Sequence, residues 1–235
     1  MHRLTIAIDP AVRTQFPDLV CGAFLARGLA GIDMGRLLLD PETMKARLAA
    51  AEIREETLLA HPLLAGWRRA IQACGLKASK FRGSAEQLVR RALRGDEIRA
   101  AGEVVRLYCQ ISALHAAPLG GYDIDALPSR DIMIRFARPT DRFQPLGGGE
   151  MSLDERIVVY AAGNDVICWA FNVRDDARTA LRETMRDALF TTEAVDPAQR
   201  LASEAALQEL REALSSAGAT VTPLAWTTGA PVELE

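Results

Sequence analysis

The sequence predicts an α+β fold, a mixed β-sheet packed with helices. Three observations lead there. Apolar residues recur at helical spacing before Pro118, strand-like runs dominate after Asp131, and the two kinds of segment do not alternate as βαβ units would require. The chain has 235 residues, 49% of them hydrophobic and 25% charged, which is the balance of a globule with a substantial core. No linker-like stretch and no internal repeat divides it, so residues 1–235 read as a single domain.

The elements follow in order. Leu4, Ile6 and Ile8 alternate with Thr5 and Ala7 and stop at Pro10, a short strand. Asp40-Pro41-Glu42 combines an N-cap, a first-turn proline and an acid at the positive end of the helix dipole, opening a helix expected to run to about Leu59. Leu63, Trp67, Ala70 or Ile71, and Cys74 mark a second helix that Gly75 stops. Ser84 and Gln87 form a capping-box pattern before Leu88, Val89, Ala92 and Leu93, with Gly95 as the stop. Val104, Tyr108, Ile111 and His115 line one stripe of a further helix ending before Pro118. Asp131–Ala137 alternates as a strand. Val158–Tyr160 and Val166–Phe171 flank Ala161–Asp165 as a hairpin, and the uncharged run Val166–Phe171 predicts a central strand covered on both faces. Helices are expected over Arg178–Leu189 and from Pro197, capped by Asp196, to Ala217, with a last strand over Val221–Trp226.

Several chemistries are excluded. The net charge of −3 gives no global basic footprint for nucleic acid. Cys21, Cys74, Cys109 and Cys168 are widely spaced with no C-x-x-C pair, the pattern of reduced thiols in a cytoplasmic protein. The N-terminus lacks the apolar run of a signal peptide, and no stretch reaches the ~18 apolar residues of a membrane span. There is no P-loop, no dinucleotide-binding glycine motif, no nucleophile elbow and no H-E-x-x-H. His2, His61 and His115 are too scattered for a typical metal site, so neither metal nor cofactor is expected.

Four segments in order carry a family resemblance. They are Trp67–Ala70 with Gly75 and Lys80–Arg91; Glu103–Tyr108 leading to Pro118–Asp125; Phe143–Gly147; and Val166–Thr179. Together, over roughly residues 60 to 195, they resemble a free-standing B3/B4 domain, the module that forms the editing site of the bacterial phenylalanyl-tRNA synthetase beta subunit. The resemblance implies a B3/B4-like fold and a hydrolytic checkpoint, which in the synthetase removes tyrosine wrongly attached to phenylalanine tRNA. Pro118, Leu119, Tyr122 and Asp123 fit the family's P-L-H-A-F-D-type segment, but Gly120 stands at the histidine position and Gly121 at the alanine position. The histidine's role, and with it the tyrosine specificity, does not carry over. The family's editing glutamate maps near Arg174–Ala177, which makes Asp175 and Asp176 its acidic counterparts. Phe171-Asn172-Val173-Arg174 fits the W-N-x-R pattern of the free-standing branch.

The resemblance implies tRNA or aminoacyl-tRNA as partner and hydrolysis of mischarged aminoacyl-tRNA in trans. The competing readings are a non-catalytic tRNA- or amino-acid-binding module and a small-molecule ester or amide hydrolase. An aminoacyl ester is already activated, so oriented water and an oxyanion donor suffice for its hydrolysis. Asn172 is the candidate oxyanion donor, and Asp123, Asp175, Asp176, His115 or the substrate's own hydroxyl the candidate base. Gly120 and Gly121 read either as a turn or as a backbone wall facing a ligand. Tyr122, Arg174 and His115 complete the expected substrate site, and Asp123 has an equal reading as an Asx-turn cap. Arg68, Arg90 and Arg91 are the candidate tRNA contacts. A pocket is expected between Leu119–Asp123 and Asn172–Asp176.

Overall fold

The computed structural model describes residues 3–235. The chain opens with β1 (Leu4–Ile8) and α1 (Pro10–Gln15), where the Asp9 carboxylate accepts from the Ala11 N–H. β2 (Val20–Arg27) follows, then α2 (Pro41–Ala50), capped by Asp40 through the Thr43 N–H. Three more helices precede the strand-rich half: α3 (Pro62–Ala73), α4 (Ser84–Leu93) and α5 (Glu103–His115). Next come β3 (Gly120–Asp123), β4 (Asp131–Phe136), β5 (Val158–Ala162), β6 (Asp165–Trp169), β7 (Arg174–Asp175) and β8 (Asp187–Ala194). The chain closes with α6 (Pro197–Ser216), β9 (Thr220–Val221), β10 (Ala225–Thr227) and β11 (Val232–Leu234).

The class is α+β, with two sheets rather than the one expected. The first has the order β11-β1-β4-β5-β6-β7 and is mixed, because β1 and β4 run parallel while the other pairs are antiparallel. The second, β10-β2-β8-β3 with β9 also on β2, is antiparallel throughout. Period-two alternation distributes each strand between cores. Cys21, Ala23 and Leu25 of β2 and Leu189 of β8 join Ile6, Ile134 and Tyr160 in a core shared by both sheets. Phe24, Ala26, Ala188 and Phe190 point the other way, onto Tyr108 of α5 and Leu207, Leu210 and Leu214 of α6. On the first sheet, Val159, Ala161, Val166 and Trp169 face Ile71, Ala78 and Phe81.

Several expectations need correction. β6 is buried along its length, but it is the fifth of six strands rather than the centre. It stops at Trp169 because Ala170 and Phe171 take left-handed φ values of 52° and 63°. The helix expected over Arg178–Leu189 does not form. Residues 187–194 pair as β8 between β2 and β3, while Leu181 and Met185 reach the helix-side core from an irregular segment. α2 ends at Ala50, well short of Leu59. Ser84 is the first helical residue and not the cap: Gly83 occupies that position, and the Ser84 hydroxyl is buried with no partner among the described residues. The last strand is split at Thr222–Leu224 into β9 and β10.

Candidate active site

The two segments expected to form a site touch through a Tyr122–Asp175 side-chain hydrogen bond, and the backbone contacts of the first fall just past the second, at Thr179 and Ala180. The Asp123 N–H donates to the Thr179 carbonyl at 2.9 Å, and Tyr122 bridges to Ala180. The glycine pair, however, is neither turn nor loop. Gly120 and Gly121 are extended and pair with Thr191 and Phe190 of β8. Glycine is needed there for close approach: a Cβ on Gly121 would lie 2.6 Å from Leu181 Cδ1, and one on Gly120 would lie 2.8 Å from Thr191 Oγ1 and 2.9 Å from the Tyr122 hydroxyl. The interior beside them is filled, not open, because Tyr122, Tyr160, Cys168 and Phe171 are each at most 3% exposed. A cavity of about 360 Å³ adjoins this junction, lined by Arg142, Asp165, Arg178 and Thr179.

Within that packing lies a polar network. Glu193, on β8, is 3% exposed; its carboxylate accepts from the Asn172 Nδ2 amide at 2.7 Å and from the Tyr160 hydroxyl at 2.9 Å. Burial pushes the Glu193 carboxyl up to about 7; the two hydrogen bonds oppose the rise and the charge of Asp175 adds to it. The Cys21 thiol lies 3.7 Å from the Tyr160 hydroxyl and is itself pushed up by burial. Asp175 is the second acid. Desolvation raises it above the ordinary carboxylate value, while hydrogen bonds from Cys168 and Tyr122 and the Arg174 charge act the other way. Asn172 and Asp175 retain exposed surface, whereas Glu193, Tyr160, Tyr122 and Cys168 do not. The outermost members of the network are therefore Asn172, in the β6–β7 connection, and Asp175, three residues on in β7.

The local backbone explains how Asn172 is aimed. Two consecutive left-handed non-glycine residues are costly, and here Phe171 is held by edge-on packing against Phe16 (5.1 Å between centroids) and Trp67 (5.6 Å). The Ser84 N–H, at the start of α4, then donates to the Asn172 carbonyl at 3.0 Å and approaches Oδ1 at 3.3 Å. Gly83 makes room, since a Cβ there would stand 2.6 Å from Oδ1. With Oδ1 on Ser84 and one Nδ2 hydrogen on Glu193, the amide's orientation is fixed and its second N–H is free to donate.

Other expected residues make structural contacts. Asp176, fully buried, pairs with Arg178 at 2.8 Å and accepts from the Gln144 and Arg178 N–H groups. Asp123 accepts from the Asp125 N–H, the Asx-turn role. His115 hydrogen bonds Glu209 of α6 at 2.6 Å, and none of its hydrogen bonds joins the network. The Arg174 Nη1 donates to the Leu146 carbonyl, and its Nε is buried without a partner among the described residues. Arg68 and Arg90 both bond the buried Glu86 at 3.0 Å, while Arg91 donates to the Glu97 carbonyl. Arg90 and Arg91 also line a cleft of about 340 Å³ together with Arg82, Arg94 and Arg99.

Glu193, Tyr160, Cys21 and Cys168 escaped the sequence reading. The signal for Glu193 was present: in Ala188–Ala194 it is the sole charged residue of a run whose neighbours are apolar or threonine, and a buried carboxylate requires partners. Among the described residues no group of three or more His, Cys, Asp or Glu side chains is placed to hold a metal ion, and no helix is long and apolar enough to cross a membrane.

Comparison with known proteins completes the description. No curated protein matches the chain. Among solved structures, it is similar to an N-terminal fragment of the phenylalanyl-tRNA synthetase beta-subunit from Pyrococcus horikoshii, at 14% identity and a TM-score of 0.44. That match covers 92% of this chain and 49% of the other, so the chain spans about half the length of that fragment. Residues 66–217, which include α4, the β6–β7 connection, Glu193 and the arginine cleft, match the family model of the B3/4 domain, and the chain belongs to that family.

Proposed function

We propose that this B3/4 domain hydrolyses the ester of mischarged aminoacyl-tRNA in trans. The observation that carries the reading is the Asn172 amide, locked between the Ser84 N–H and the buried Glu193 carboxylate with one N–H left to donate. Such a donor, fixed before the substrate arrives, stabilises the developing oxyanion without reorganisation. Asp175, three residues on and still partly exposed, is the base for the attacking water. Its raised carboxyl binds a proton more strongly than an ordinary aspartate, which suits that task. Glu193 acts through Asn172 and is a positioning residue. Arg68, Arg90 and Arg91 supply phosphate contacts, on a molecule whose net charge of −3 gives none elsewhere by default.

Deacylation of a panel of mischarged tRNAs tests the reading. Purified protein should release at least one non-cognate amino acid and spare the correct one. Asn172→Ala should lower kcat by roughly 10²-fold or more while leaving KM nearly unchanged, the pattern of a contact made in the transition state. Tight tRNA binding with no deacylation of any ester would favour a binding module instead. Ester hydrolysis on small substrates without tRNA binding would favour a small-molecule hydrolase.

A further inference from the structure

We infer that the cleft over α4 is a phosphate site that takes two adjacent phosphate groups of one ligand. It rests on the tRNA reading only for the source of those phosphates. Five arginines, Arg82, Arg90, Arg91, Arg94 and Arg99, converge with Gln87 on one concavity of about 340 Å³. Gln87, Arg90, Arg91 and Arg94 fall at i, i+3, i+4 and i+7, which places them on one face of α4 and its C-cap. Arg82 comes from the residues preceding the helix and Arg99 from the segment following it, so three stretches of chain close on the same space.

The local charge is not balanced. Arg68, Arg82 and Arg90 share the one carboxylate of Glu86; Arg94 pairs with Asp96; Arg99 and Arg106 share Glu97. Arg91 has a backbone carbonyl as its partner. Seven arginines therefore share three carboxylates. The basic residues of the cleft are all arginine, as are 25 of the 28 basic residues of the chain. Guanidinium forks match phosphate oxygens in pairs, as a lysine point charge does not. Arg90 and Arg94 are separated by about 6 Å of rise along the helix axis, which sets two levels of forks rather than one. A single orthophosphate can satisfy two forks, one pair of oxygens each; a diphosphate or two consecutive phosphodiesters brings the further oxygens that five arginines can engage.

The test uses pyrophosphate and a short single-stranded RNA as probes, with binding measured by calorimetry at low ionic strength. Both should bind the unaltered protein, and pyrophosphate should displace the RNA. Arg91→Ala with Arg94→Ala, two exposed positions, should raise both dissociation constants at least tenfold. The same pair should flatten the slope of log K against log salt for RNA by about 1.4. Arg200→Ala, exposed on α6 and paired with Glu204, should change neither. The inference falls if pyrophosphate fails to bind at low salt, if it binds parent and double variant alike, or if RNA binds without being displaced. Glu193→Gln should keep full pyrophosphate binding. If no charged tRNA is deacylated while both probes compete at the cleft, the editing reading falls and the phosphate site stands. If pyrophosphate binds and RNA does not, the site stands with a small diphosphate as its ligand.

Discussion

Burial lifts the Glu193 carboxyl from its ordinary 4.5 to about 7, and the direction of that shift fixes what pH does to the fold. An acid whose folded value is raised binds protons more tightly in the folded state. Its contribution to stability is complete below about 4.5 and is lost as pH climbs through 7, a loss of roughly 3 kcal/mol. Asp175 is shifted the same way, whereas Asp40 and Asp154 are lowered and lose their contribution only in acid. Glu193→Gln keeps a hydrogen-bonding partner for both Asn172 and Tyr160 but removes the charge. Thermal melts should show the variant gaining on the parent between pH 5 and pH 8; equal gains at both pH values would contradict the assignment. In deacylation, the parent's rate should rise through pH 7 as the ionised carboxylate grips the amide, and the variant should lose that inflection. Gly121 gives a second test at this scale. A methyl group there meets Leu181, Phe190 and Tyr108 inside a paired strand, so Gly121→Ala should cost about 1–3 kcal/mol in a urea titration.

At the scale of elements, legibility followed the number of faces an element buries. α4 lies against the body on one face, and its helical spacing was visible in Val89 and Ala92; α5 sits between two cores, and the stripe Val104, Tyr108 and Ile111 that it turns to one of them was visible too. β2 and β8 bury both faces between two cores, so their side chains show no polar alternation and neither strand was foreseen. Leu181, Met185 and Ala188 even fall near helical spacing, and long-range pairing of β8 overrode that local pattern. The candidate site divided in the same way. Asn172 was legible as a lone amide after an apolar run, while Glu193 comes from the strand misread as a helix and joins it only through the tertiary fold. The segment between β7 and β8 has little regular structure and depends on Asp176, which holds the Gln144 and Arg178 backbones and the Arg178 guanidinium. Asp176→Asn would leave Asp165 as the only carboxylate on Arg178 and weaken four charge-assisted bonds, costing roughly 1–3 kcal/mol. Native-state hydrogen exchange should speed up first at the Ala177, Arg178 and Ala180 amides; uniform acceleration across the sheets would count against this local role.

For the whole molecule, the decisive fact is that the sheets share a core. The chain passes from β1 to β2, and later from β10 to β11, so it crosses between the sheets near both ends. β11 pairs antiparallel with β1, setting Leu234 opposite Leu4, and both side chains enter the core that Cys21, Leu25 and Leu189 supply from the second sheet. Neither sheet can lose that face without exposing the other, which couples their unfolding although the strands belong to separate ladders. The tryptophans report on different places: Trp67 in the shared core, Trp169 on the outer face of the first sheet, and Trp226 on β10 beside the helix-side core. Denaturation followed by tryptophan fluorescence and by far-ultraviolet circular dichroism should therefore give coincident transitions. Leu234→Ala, although it alters only the last strand, should move that single transition by about 2–4 kcal/mol, because the lost side chain is 2% exposed and the cavity opens between the sheets. Two separated transitions, or a change confined to one signal, would show that the ladders unfold independently and that the shared core does not bind them.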